Sequence, residues 1–278
     1  MYERQKAELR LLQEKVAKGK MSRREFMSRM SAMGLGAMAP GLYMQSAMAA
    51  PKKGGRFRQG VTGGATSDVL DPGQILDHYM INVQFGQLRN NLTEVAPSGE
   101  LVPELAESWE GSNGAKTWNF KIRQGVEFHN GKSLTSQDVV DSLNHHLGED
   151  SKSAAKGQLG AVTSVKADGK YGVVVELSGG DADFPFILTD YHLLICPSNG
   201  DGTIDWQSGV GTGGFSLVEH EPGVRTLVKA NPNYWKPNRR FFDEVETLQI
   251  ADSAARENAL RTGELDAMNN VPAKTADL

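Results

Sequence analysis

Gly209-Val210-Gly211-Thr212-Gly213-Gly214 has the spacing G-x-G-x-x-G, the pattern by which a glycine-rich turn sets backbone amides and a helix N-terminus against a pyrophosphate. That chemistry needs a helix directly after the last glycine. The residues that follow, FSLVEHEPG, read instead as a strand ending in a hairpin turn, so no nucleotide is expected here. His145 and His146 are adjacent and on a helix would point about 100° apart. This is the wrong spacing to chelate one ion, and it fits a solvated helix end. His78, His129, His192 and His220 show no metal-ligand spacing. Cys196, the single cysteine, sits among apolar neighbours in YHLLICPSNG and fits a buried structural thiol. Glu104, Glu107 and Glu110 recur at helical spacing and read as an exposed face. With no G-x-S-x-G, Ser-x-x-Lys or Cys/His constellation in the sequence, no enzyme, cofactor or metal is expected.

A different kind of signal stands near the start, where Ser22-Arg23-Arg24-Glu25-Phe26-Met27 precedes an uncharged apolar run from Met30 to Met44. The run is shorter than the roughly 20 residues a membrane-spanning helix needs. Ala47-Met48-Ala49 then supplies the small-x-small exit at which a signal peptidase cuts. Charged, apolar and small-residue segments in this order make a secretory signal over residues 1–49. The alternative is a basic amphipathic surface helix. The arginine pair resembles the twin-arginine type, with Arg23, Arg24 and Phe26 in place and Met27 where that pattern has Leu. The resemblance implies export through the twin-arginine translocase to the periplasm, with Ala47 and Ala49 marking cleavage.

Removing the leader changes the charge balance. Of the 30 basic and 34 acidic residues, nine basic and four acidic ones precede Ala50, leaving 21 against 30 and a net charge near −9. An acidic body of this kind argues against nucleic acid or an anionic membrane as partner. One thiol in an oxidising compartment forms no internal disulfide.

The remaining chain alternates strands with a few helices. Gly55–Val61 alternates as a strand and leads into the turn-rich TGGATSDVLDPG. HYMINVQFGQLRNNL has helical periodicity, and TWNFKIRQGVEF alternates Trp118, Phe120 and Ile122 with polar residues. Ser133–Leu143 reads as a short helix with Thr135 as N-cap. Two hairpins are expected around Asp168-Gly169 and Glu221-Pro222-Gly223, and SAARENALRTGELDAM reads as a helix stopping near Gly263. The fold class is α/β, a mixed α+β body.

The order of these segments resembles the extracellular solute-binding proteins of family 5, which serve ABC importers. The resemblance rests on Pro103 to Trp109, Trp118 to Arg123, Phe128 to Gly131, Asp138 to Leu143 and Asn231 to Trp235. One departure is Gly214, where the family usually carries Pro. The resemblance implies a Venus-flytrap architecture of the type II periplasmic-binding-protein kind, in which two lobes close on a solute. Residues 50–75 and 195–278 would then form the first-lobe core and 76–194 an inserted subdomain. The second lobe is absent from this sequence, which is expected to be a fragment or a natural half. The resemblance also implies that the loop after the first strand, Thr62-Gly63-Gly64-Ala65, grips part of a small-molecule solute, peptide-like first and otherwise a nickel chelate, opine or sugar, and that an ABC permease is the membrane partner. A plain surface turn is the alternative for the loop. A one-lobed interaction or sensor module is the alternative.

Overall fold

The computed structural model describes residues 53–274, together with Leu12, Lys15, Glu25 and Arg29. The chain divides into two compact units, Met1–Lys52 and Lys53–Leu278. In the first, Arg29 pairs with Glu25 one helical turn away at 3.2 Å. Arg23, Arg24, Phe26, Ala47 and Ala49, the residues of the expected export signal, lie outside the described residues.

In the second unit the strands are β1 (Arg56–Val61), β2 (Thr93–Val95), β3 (Leu101–Pro103), β4 (Ala106–Ser112), β5 (Thr117–Ile122), β6 (Val162–Asp168), β7 (Gly172–Leu177), β8 (Phe215–Glu221), β9 (Arg225–Ala230), β10 (Glu244–Gln249) and β11 (Ala267–Met268). The helices are α1 (His78–Gln84), α2 (Ser136–His145), α3 (Phe184–Ile187) and α4 (Ser253–Thr262), with a 3-10 turn at Pro72–Gln74 before α1. Both expected hairpins form: β6 pairs antiparallel with β7, and β8 with β9.

Two larger sheets result. The first has the order β11-β1-β10-β9-β8, with β1 parallel to both of its neighbours. The second, β4-β5-β7-β6, is antiparallel throughout. Period-2 alternation in β5 sends Trp118, Phe120 and Ile122 into a core shared with Phe128, Val139, Leu143 and Phe184. The three side chains are therefore packing residues, as their alternation predicts. A separate cluster joins Val61, Val228 and Val245 of the five-stranded sheet to Tyr79, Met80 and Val83 of α1. Cys196 is fully buried, and desolvation pushes its thiol up to about 11.

Local signals explain the helix ends. The Asp138 carboxylate accepts from the Thr135 amide and hydroxyl, each at 2.8 Å, closing the start of α2. Asp252 accepts from Ala255 N at 2.7 Å, and Gly263, at φ 78°, ends α4.

Three expectations need correcting. The helix expected over HYMINVQFGQLRNNL stops at Gln84, because Phe85 turns extended and Gly86 takes φ 78°. His146 is 0% exposed, not a solvated helix end. Its Nδ1 bonds Ser153 Oγ at 2.7 Å, while His145 Nε2 meets Asp71 Oδ1 at 2.8 Å. Glu104, Glu107 and Glu110 lie on and before strand β4 rather than on a helix, and Glu104 is buried.

Candidate functional site

Topology brings three strand ends together. β1, β10 and β11 run parallel, so their carboxyl ends share one edge of the five-stranded sheet. After β1 the chain returns to the sheet at its far edge as β8, comes back through β9 to β10 beside β1, and after α4 adds β11 on the other side of β1. Connections that leave adjacent parallel strands toward opposite sides open a crevice at those ends, the place where open α/β sheets bind ligands. The loop Thr62-Gly63-Gly64-Ala65 begins directly after β1 and stands at this place.

Side chains from three segments hold the loop. Thr62 N donates to Asn269 Oδ1 at 3.0 Å, Gly64 N to Asp77 Oδ2 at 2.7 Å, and Ala65 N to Asp68 Oδ2 at 2.8 Å. Asp77 also caps α1 by accepting from Met80 N at 3.0 Å. One carboxylate thus fixes both the loop and the helix behind it. Gly63 and Gly64 have φ of 90° and 86°, where a side chain is strained. A Cβ on Gly64 would also stand 2.9 Å from Gln249 Cγ, and one on Gly63 would stand 3.0 Å from Asp77. The two glycines let the loop lie flat on its supports. Three of its four amides are already spent on side chains, and the Ala65 carbonyl accepts from Asp68 N at 3.0 Å, so the loop presents mainly the carbonyls of Thr62, Gly63 and Gly64 to whatever approaches.

Beneath the loop runs a buried polar chain. Tyr79 Oη and Thr226 Oγ1 lie 2.8 Å apart, and His220 Nδ1 is 2.8 Å from the same hydroxyl. Burial pushes the Tyr79 phenol up to about 12, lowers His220 and raises Asp68. At neutral pH the first two are therefore uncharged, and the negative groups nearest the loop are Asp68 and Asp77.

The other candidates separate from this place. Gly211 and Gly213 serve packing, because a Cβ at either would collide with the carbonyl of Leu88 or Gln87 at 2.0 and 2.1 Å. Gly214 leads into β8 and not into a helix, so the dinucleotide geometry is absent. No group of three or more His, Cys, Asp or Glu among the described residues could hold a metal. Among them, too, no helix is long and apolar enough to cross a membrane. Asn269, Asp68 and Asp77 escaped sequence reasoning. The two aspartates left a signal, since each stands just before or within a turn that its side chain closes. Asn269 left none.

The family description of bacterial extracellular solute-binding proteins, family 5, middle portion, matches residues 100–278. The chain belongs to this family. Among curated relatives it is 30% identical over 199 residues to the oligopeptide-binding protein AppA of Bacillus subtilis, covering 67% of this chain and 36% of the relative. It is 26% identical to the nickel-binding periplasmic protein of Escherichia coli, covering 68% of this chain and 37% of the relative. Among solved structures, AppA in complex with a nonapeptide aligns with TM-score 0.73 at 26% identity, over 82% of this chain and 46% of that one. The binding protein AgaA of A. tumefaciens R10 in complex with agropinic acid aligns with TM-score 0.72 at 29% identity, over 80% and 45%. The chain thus spans roughly a third of these curated relatives and just under half of these solved chains. These relatives are binding proteins and not enzymes.

Proposed function

We propose that this chain supplies one wall of the solute cleft of a periplasmic binding protein that feeds an ABC importer, and that the solute is peptide-like. The observation that carries the reading is the clamped loop Thr62–Ala65 at the joint carboxyl ends of β1, β10 and β11. A loop with three of four amides spent and the carbonyls of Thr62, Gly63 and Gly64 left over suits a ligand rich in N–H donors, as a peptide backbone or ammonium is. The likeness to oligopeptide-binding AppA supports the same class. In this reading residues 50–75 and 195–278 form the lobe core and 76–194 the inserted subdomain. A second lobe closes over the solute, and the closed form docks on the permease.

The thermal melt of the full chain, with mixed peptides, nickel-histidine or agropinic acid added in turn, tests the reading. Peptides are expected to raise the midpoint, and Asn269→Ala, which frees the Thr62 amide, is expected to shrink that rise. A melt raised by nickel-histidine or agropinic acid and by no peptide overturns the peptide assignment. Export by the twin-arginine route is part of the proposal. Changing Arg23 and Arg24 together to Lys is expected to stop export, and an unchanged periplasmic yield contradicts it.

A further inference from the structure

A pocket of about 220 Å³ lies at the other end of the five-stranded sheet from the Thr62–Ala65 loop. Its wall includes Phe215, where β8 begins, whereas the loop meets Gly223, just beyond where β8 ends. Seven strand residues, at a rise of ~3.3 Å each, separate the two places by about 20 Å. The pocket is therefore independent of the cleft.

Rings of Phe85, Phe215 and Tyr234 wall it. Phe85 is 43% exposed at the end of α1, an apolar surface without a covering neighbour. Its charged groups form one network, in which Lys236 Nζ donates to Glu94 Oε2 at 2.8 Å and to Glu104 Oε1 at 2.6 Å. Burial raises the Glu104 carboxyl. It works against the Lys236 charge too, but the two carboxylates outweigh it and raise that ammonium. What the network leaves over is donors. An ammonium carries three N–H groups, and the third of Lys236 has no hydrogen-bond acceptor among the described residues. The Tyr234 hydroxyl accepts from Asn90 Nδ2 at 3.4 Å, and its own proton is undonated among those residues. Arg239 makes one long contact, Nη2 to Glu94 Oε1 at 3.5 Å. Arg89 also lines the pocket, but it is fully buried and its guanidinium donates to Leu70 O, Gln84 Oε1 and Trp206 O, so the donors left for a ligand are those of Tyr234, Lys236 and Arg239.

Gly214 completes the opening. A Cβ built on it would stand 3.3 Å from the Tyr234 ring, so any side chain at this position would occupy the space in front of Tyr234. This chain keeps that space clear. A cavity of about 150 Å³ is enough to hold benzene, and the pocket has room for a ring of that size plus one small polar group.

We propose that this pocket is a second small-molecule site, which takes a single-ring monocarboxylate. The ring lies against Phe85 and Phe215, and the carboxylate accepts from Tyr234, Lys236 and Arg239. The leftover donors favour an anion, and Glu94 and Glu104 repel a second negative charge, so the anion is a monoanion. Titration calorimetry of the full chain with benzoate tests it. Benzoate is expected to bind at one per chain, with benzyl alcohol and phenyl phosphate each weaker by about tenfold or more. Arg239→Gln, at an exposed position, is expected to weaken benzoate by about tenfold with an unchanged melt, and Gly214→Pro is expected to abolish binding. No heat with benzoate, equal binding of benzyl alcohol, or wild-type affinity in Arg239→Gln overturns the proposal.

Discussion

The four-stranded sheet covers its buried face with Trp118, Phe120, Ile122, Val173 and Val175, side chains that pack with a single hydrogen bond among them, from Trp118 Nε1 to Asp181 O at 3.2 Å. The five-stranded sheet buries Val61, Val228 and Val245 but threads Tyr79, Thr226 and Thr247 between them. An apolar layer stabilises by area removed from water, whatever the contact geometry. A hydrogen-bonded layer stabilises only while each partner keeps its place, and it thereby fixes the positions of what it carries. Here it carries the clamped loop. The contrast divides the work between a layer that supplies stability and a layer that supplies position.

Removal of Phe120 is the strongest test of that division. This ring is 2% exposed and lies edge-on to Phe184 at 6.4 Å between centroids. Phe120→Ala is expected to cost about 3–5 kcal/mol, read as a lower urea midpoint for the whole unit. A loss under about 1 kcal/mol would mean that the four-stranded layer is not the main source of stability.

The seam between the layers gives a pH-dependent effect. His146, at the end of α2, is buried close to Asp71, His145, Asp190 and His192, and burial lowers its imidazole to about 4 from an ordinary 6.5. The unfolded chain then binds the proton first, so stability is full above pH ~6.5 and falls as pH drops toward about 4. The shift corresponds to about 3 kcal/mol at the acid end. Burial also lowers His129 and His220, which add to the fall in the same direction below pH ~6.5. Melts from pH 7.5 to 4 should show the fall, and His146→Gln should flatten most of it. An unchanged slope in that variant would move the effect to the other two histidines.

Local chemistry made much of this fold legible. Asp168-Gly169 and Glu221-Pro222-Gly223 announce their hairpins because the turn residues sit inside the turn, and Thr135 with Asp138 announces a helix start three residues apart. Partners distant in sequence made the rest illegible. His146 reads as a solvated end until Ser153 and Asp71 come beside it. Glu104 reads as surface until Lys236, 132 residues away, reaches it. The loop Thr62–Ala65 was found through resemblance, and its Asn269 clamp spans 207 residues, beyond any local pattern.

Asp77 tests the positional layer at smaller cost. Its carboxylate accepts from Gly64 N at 2.7 Å and Met80 N at 3.0 Å, so Asp77→Ala removes a helix cap and a loop clamp together. Loss of a cap costs about 1 kcal/mol, and the freed Gly64 amide adds about as much if it stays dry, less if water reaches it. The melt should therefore move far less than in Phe120→Ala. Solute affinity should fall instead, and amide exchange at Gly64 should quicken while that at Phe120 holds. Asp77→Asn keeps an acceptor oxygen for one of the two amides and should recover part of both properties. If Asp77→Ala lowered stability as much as Phe120→Ala and left exchange at Gly64 unchanged, the carboxylate would be holding the unit together and not setting the loop, and the division between the layers would fail.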